Sequence, residues 1–201
     1  MENIIIAITG PSGVGKTTLG NILIKNDDFV VPVHTTTRTQ RNDDIIGFYR
    51  YLTHNEFRSY ASKNNFLFWS GDSDIIDSKY GNYYGILRDD YNAISNNDRI
   101  IFYISYKDIH AINELRRCGY NIEIVNLLYY DIDKSMKDRL LSGERNHSEE
   151  DIKRRIECAK SYERQFREQL DNYDILKIYT DLYDSKATYE IVKTKKLKRG
   201  V

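Results

Sequence analysis

The chain has 201 residues, with 30 Lys plus Arg balancing 30 Asp plus Glu. That length allows one domain with small mobile subdomains, and a net charge of zero argues against coating nucleic acid by bulk charge. With 40% hydrophobic residues, 11 Gly and only 2 Pro, the composition supports a buried core and excludes collagen-like or low-complexity disorder. Cys118 and Cys158 form no C-x-x-C pair and read as reduced thiols. The apolar run at the start lacks a basic flank and is too short for a signal segment or a membrane span, so a cytoplasmic protein free of membrane is expected. The basic run from Lys193 to Arg199 reads as a solvated tail rather than a membrane or nucleic-acid patch.

In chain order, Ile4–Thr9 is a β-branched apolar run that predicts a strand buried on both faces. A Gly-rich turn follows, then a helix over Thr17–Lys25 with Leu19, Ile22 and Leu23 at helical spacing. Phe29–Val33 predicts a second strand, and Asn55–Asn64 a short helix with Phe57, Tyr60 and Ala61 on one face. Arg99–Ile104 predicts a buried strand, Ile109–Cys118 a helix closed by Gly119, and Ile122–Leu128 a strand. Helices are expected over Lys134–Leu141 and Glu149–Leu170, with Ser148 and Asp151 resembling a capping box. Asp174–Tyr179 and Lys186–Val192 are the last strand and helix. Strands alternating with helices predict an α/β fold with a mostly parallel sheet covered on both faces.

The turn after the first strand reads Gly10-Pro-Ser-Gly-Val-Gly-Lys16-Thr17 and fits G-x-x-x-x-G-K-[ST] throughout. Its place between a predicted strand and a predicted helix is the context that gives this motif its meaning. Glycines let backbone N–H groups turn inward around anionic oxygens, and the helix N-terminus adds its dipole. A nucleotide triphosphate site is therefore expected over Gly10, Ser12, Gly13, Val14, Gly15, Lys16, Thr17 and Thr18. Lys16 would reach the β- and γ-phosphates, and the Thr17 hydroxyl would help hold Mg²⁺. Thr18 either touches a phosphate or only fills the first helical turn. No guanine-reading N-K-x-D string is present, and the length points to small-molecule kinases.

Further on come His34-Thr-Thr-Thr-Arg38-Thr-Gln-Arg41, Gly47-Phe-Tyr49, Asn65-Phe-Leu-Phe-Trp69 and Gly81-Asn-Tyr-Tyr84-Gly85. Two arginines three residues apart suit one phosphate group; taken alone, they read equally as surface charge beside core aromatics. Together with the loop and the Arg139…Ser148-Glu-Glu-Asp-Ile-Lys-Arg-Arg155-Ile stretch, these strings resemble the guanylate kinase family, in that family's order, from about residue 3 to about residue 182. The resemblance implies a single domain. Its core would cover about 1–33, 99–133 and 152–192, its acceptor-binding region about 34–98 and its lid about 134–151. It implies ATP as phosphoryl donor and an acceptor phosphate held by Arg38, Arg41, Tyr49 (allowing one deletion after Gly47) and Tyr84. It implies lid arginines Arg139 and Arg145, with Arg155 bridging to the transferring group. The bland alternative for Arg139 and Arg155 is pairing on a helix surface.

Departures from the family pattern cluster at base recognition. The family's first serine position is His34, its glutamate before the tryptophan is Phe68, and its serine after GNYYG is Ile86. Its strand D-x-D pair appears as Tyr103 and Ser105. His34, Phe68, Ile86 and Ser105 are thus the candidate lining of an acceptor base or sugar pocket. Apolar groups there would leave guanine's polar edge unpaired, at about 1–3 kcal/mol per group, so GMP is expected to be a poor acceptor. The segment Ser70–Tyr80, with Asp72, Asp74 and Asp77, exceeds the family's link and reads first as a solvated loop, second as a source of acceptor or Mg²⁺ contacts. Three functions fit: a nucleoside monophosphate kinase with changed base preference, a kinase resembling ribose 1,5-bisphosphate phosphokinase, and a binding module without catalysis. The intact Lys16 and Thr17 argue against the third.

Overall fold

The computed structural model describes residues 3–41, 44, 46–71, 75–142, 148–170 and 174–197. The elements are, in chain order, β1 (Ile4–Thr9), α1 (Lys16–Asp27), β2 (His34–Thr36), β3 (Tyr49–Tyr51), α2 (His54–Ser62), β4 (Phe66–Gly71), β5 (Tyr83–Leu87), α3 (Arg88–Asn92), β6 (Arg99–Tyr103), α4 (Ile109–Arg117), β7 (Ile122–Leu128), α5 (Ile132–Ser142), α6 (Glu149–Leu170), β8 (Ile175–Tyr179) and α7 (Ser185–Val192). They fall into two compact units. One comprises Met1–Ile5 with Phe29–Ile122, the other Ile6–Asp28 with Glu123–Val201.

In the second unit the strand order is β1-β7-β8, and β7 and β8 run parallel from Ile124↔Ile175 to Leu128↔Tyr179. Ile6, Ala7, Ile8, Ile124, Val125 and Leu127 are fully buried, which is why these strands are continuous apolar runs rather than alternating ones. Helix α1 buries Leu19 and Leu23, the helical pair expected from spacing. Its neighbour is α7, while α5 packs beside α6.

The first unit holds a four-stranded sheet in the order β3-β2-β5-β4, most of which the sequence pattern did not announce. β2 pairs parallel with β3 and antiparallel with β5, and β5 pairs antiparallel with β4. The strand expected at Phe29–Val33 is absent. Only Val30 bridges, to Ile100, because Pro32 has no N–H to continue a ladder; the strand forms two residues later, at His34. Elsewhere the expected helices and strands stand within about two residues of their predicted ends. Gly119 takes φ +95 after α4, as a helix-closing glycine should.

Register assigns this sheet two unlike faces, because residues directly paired across strands point to the same side. One face carries two rows: Phe68, Ile86, His34 and Tyr49; then Ser70, Tyr84, Thr36 and Tyr51. The opposite face carries Trp69, Gly85, Thr35 and Arg50. It packs on α2 through a cluster of Phe57, Phe66, Ile76, Tyr83 and Leu87. A bulge at Leu67 interrupts the β4–β5 register. It sends Phe66 into this cluster and Phe68 to the other face, although strict alternation would have placed both on one side. Ile76, inside the long Ser70–Tyr80 segment, is only 7% exposed, and its carbonyl accepts from Arg58 Nε at 3.0 Å. This part of the segment is therefore packed rather than solvated. Asp77 accepts from the Lys79 N–H within a short turn, and Asp72 and Asp74 lie outside the described residues.

Candidate active site

The phosphate loop lies between β1 and α1, as the motif requires. Gly10, Gly13 and Gly15 adopt φ of +144, +79 and +104, a region that side-chain-bearing residues rarely enter. A Cβ on Gly10 would also meet the Leu127 carbonyl oxygen at 2.4 Å. Gly15 is the N-cap of α1 and offers no side-chain cap, so the first amides of α1 are left for an anion. Lys16 Nζ donates to the carbonyls of Gly10 at 2.7 Å and Pro11 at 2.8 Å. Burial pushes its ammonium down to about 8, a shift that bound phosphates would oppose. Thr17 and Thr18 are exposed on the first turn. Ser12 meets Arg155 of α6, whose Nη1 donates at 3.4 Å, while Arg155 Nε is held by Asp151 at 2.8 Å. Arg155 is thus placed against the loop, and the Ser148 hydroxyl caps α6 by accepting from the Asp151 N–H. Arg139 lies on α5 by its backbone; its side chain, and the whole of Arg145, lie outside the described residues.

Two features here had no sequence signal. A cavity of about 250 Å³ opens behind the loop, lined by Val14, Gly15, Thr18, Thr180, Tyr183 and Ser185 among others. Asp181, just after β8, accepts from the Tyr130 and Asp131 N–H groups at 2.8 and 2.9 Å and from the Ser135 hydroxyl at 2.7 Å. It fixes the start of α5 from a distant part of the chain, which no local capping pattern reveals.

In the other unit, the first sheet face gathers His34, Tyr49, Tyr84, Phe68 and Ile86, five of the eight residues expected to meet an acceptor. Arg38 follows β2 and is 8% exposed. Its guanidinium lies 4.4 Å from the Tyr49 ring centroid and 5.6 Å from that of Tyr51, and it forks onto Asp44 at 2.7 and 2.6 Å. Asp44 also accepts from the Arg41 N–H at 2.7 Å and the Tyr51 hydroxyl at 2.5 Å. The Arg38 bond, with those of Tyr51 and the Arg41 amide, holds its carboxyl far below the usual range. Asp44 and Tyr51 escaped sequence analysis because neither belongs to an arginine or tyrosine string. Arg41 and Tyr84 are exposed.

His34 behaves differently from the expected pocket residue. Its Nδ1 lies 3.0 Å from the Pro32 carbonyl, and Nε2 lies 3.3 Å from the Tyr103 amide N–H. The carbonyl can only accept and the amide can only donate, so the proton sits on Nδ1 and both nitrogens are used. The ring stacks on Phe48 at 5.3 Å and tilts against Tyr103 at 5.6 Å. Burial pushes its imidazole down to about 4, so it stays neutral near pH 7. Phe68 is 5% exposed and packs on Phe102, and Ile86 is fully buried. Ser105 lies with its hydroxyl 3.0 Å from that of Ser70.

The chain matches the guanylate kinase family model over residues 2–187. It is 29% identical over 182 residues to a guanylate kinase of Bartonella quintana, covering 89% of this chain and 75% of that one. It is 31% identical over 140 residues to one of Prochlorococcus marinus, covering 68% and 72%. A 33% identical match to the Clostridium acetobutylicum guanylate kinase covers 56% of this chain but 52%, about half, of that protein's length. The crystal structure of guanylate kinase from Anaplasma phagocytophilum superposes with a TM-score of 0.66 at 16% identity, covering 96% of this chain and 84% of that one, and speaks for the fold alone. No helix among the described residues is long and apolar enough to cross a membrane. With a family model spanning almost all of its length and an α/β fold to match, the chain belongs to the guanylate kinase family, a family of nucleoside monophosphate kinase-like phosphotransferases.

Proposed function

We propose that this chain transfers the γ-phosphoryl group of ATP to a phosphorylated acceptor, first of all a nucleoside monophosphate. The observation that carries the reading is the sheet register, which sets Tyr49 and Tyr84 on one face with the Arg38 guanidinium 4.4 Å from the Tyr49 ring centroid. Phosphoryl transfer demands little covalent chemistry; it demands two anionic substrates held in line and developing charge neutralised. The amides of Gly13–Thr18 and Lys16 would hold the donor phosphates, with Arg155 beside them. The cavity bordered by Thr18, Thr180 and Tyr183 would take the donor base. Arg38, Arg41, Tyr49 and Tyr84 would hold the acceptor phosphate. Arg139 and Arg145 would belong to a lid over 134–151 that brings charge and excludes water.

Among the described residues no three His, Cys, Asp or Glu side chains cluster to hold a metal. The exposed Thr17 hydroxyl fits a Mg²⁺ that keeps its waters and is bound mainly by nucleotide phosphates. Such an ion neutralises phosphate charge when bound. A sugar-phosphate acceptor such as ribose 1,5-bisphosphate is the second reading, favoured by the closed His34 nitrogens and the apolar Phe68 and Ile86. ADP release from ATP, screened against the common nucleoside monophosphates and ribose 1,5-bisphosphate, tests both. Turnover with one acceptor supports transfer and names the class. Silence with all of them, with ATP bound and the chain folded, supports a binding module instead.

A further inference from the structure

We infer that Asp108, backed by Ser70 and Ser105, reads a hydrogen-bond donor on the part of the acceptor farthest from its phosphate. This rests on the acceptor reading above. Asp108 precedes α4 and is 4% exposed. Its Oδ2 accepts from the Ser105 N–H at 2.7 Å, and the Ser105 hydroxyl lies 3.0 Å from that of Ser70. Its Oδ1 is buried and has no hydrogen-bond partner among the described residues. A buried carboxylate oxygen without a donor is a rarity that calls for a reason, and an N–H or O–H from a ligand is the partner of the right polarity.

Position supports the same reading. Ser70 pairs directly with Tyr84 and shares its face. Tyr51, which with Asp44 steadies Arg38, lies at the other end of that row. Three strand spacings, roughly 14 Å, separate the row's ends. That span suits a phosphomonoester with its phosphate near Arg38, at the Tyr51 end of the row, and its distal group near Ser70. The neighbouring row of Phe68, Ile86 and His34 offers apolar and closed surfaces, so the Ser70, Ser105 and Asp108 set is where polar discrimination is available. Burial pushes the Asp108 carboxyl up to about 6, opposed by the Ser105 amide and the two serine hydroxyls, and it is mainly ionised at pH 7.5. The donor it would accept is a ring N–H, an exocyclic amine or a sugar hydroxyl.

The test is equilibrium binding to the full chain of GMP, AMP, CMP, UMP, ribose 1,5-bisphosphate and inorganic phosphate, for the natural protein, Asp108→Asn and Ser70→Ala. Asparagine keeps an oxygen for the Ser105 amide and removes the charge, and Ser70→Ala serves if that variant fails to fold. The expected result is that the tightest phosphomonoester weakens about tenfold or more in Asp108→Asn, less in Ser70→Ala, while inorganic phosphate binds unchanged. Which ligand is tightest separates a base from a sugar. Unchanged binding of every phosphomonoester overturns the inference, as does equal weakening of phosphate and phosphomonoester, which marks a merely structural role. Phosphate binding as tightly as any phosphomonoester overturns it alone, since nothing beyond the phosphate is then read. Specific binding without turnover of any acceptor overturns the kinase reading and leaves this one standing.

Discussion

On the proposed reading, the phosphate loop and the acceptor face would hold anions by different means. The loop would use backbone amides, three glycines at positive φ and one lysine. The acceptor face would use side chains from four strands, brought together by register, with Arg38 held by Asp44, Tyr49 and Tyr51. Backbone donors are indifferent to most substitutions, so the loop cannot drift far in what it binds. A face built from alternate side chains can keep Arg38 and Tyr84 while His34, Phe68 and Ile86 change beside them. On that reading the same fold would hold one substrate fixed and leave the other open to change.

Substitutions can pull the two regions apart. Lys16→Ala should lower transfer by on the order of a thousandfold while leaving the melting temperature and phosphomonoester binding at the acceptor face unchanged; steady-state kinetics with a thermal melt checks this. Phe57→Ala empties the packed side of the acceptor sheet, where Phe57 is fully buried against Phe66 and Tyr83. It should cost about 3–5 kcal/mol in denaturant unfolding. Arg38→Lys loses the fork onto Asp44 and the guanidinium contact with the Tyr49 ring. It should raise the acceptor KM about ten- to hundredfold and leave the ATP KM alone.

The smallest effect concerns Asp108. Its carboxyl binds a proton more tightly when folded than when unfolded, so its contribution to stability is greatest below about pH 4 and is lost as pH rises through about 6. Melting temperatures taken from pH 4.5 to 7.5 should therefore fall more steeply for the natural chain than for Asp108→Asn. Parallel slopes would place the shift elsewhere.

Much of the second unit could be read from sequence, because its information is local. The loop is eight consecutive residues, and the apolar runs of β1 and β7 announce strands buried on both faces. The acceptor sheet was harder. Its strands are as short as three residues, Pro32 displaces one of them, and the bulge at Leu67 reverses the face of every residue on one side of it. Arg38, Tyr49 and Tyr84 could be named from their strings, but Asp44, Tyr51, Ser70 and Asp108 acquire meaning only through contacts across the sheet. His34 shares a sheet face with Tyr49, Ile86 and Phe68. That its two nitrogens are spent on Pro32 and Tyr103 depends on a contact 69 residues away, beyond any spacing rule.

The most direct measurement follows the fate of the phosphoryl group itself. ATP labelled in its γ-phosphoryl group is incubated with the chain, Mg²⁺ and each phosphomonoester in turn, and the products are separated. The account predicts label on one acceptor, as a new phosphoanhydride or phosphoester, and none of that product with Lys16→Ala. Label that appears only as inorganic phosphate, or stays on ATP with every acceptor while ATP remains bound, would contradict it.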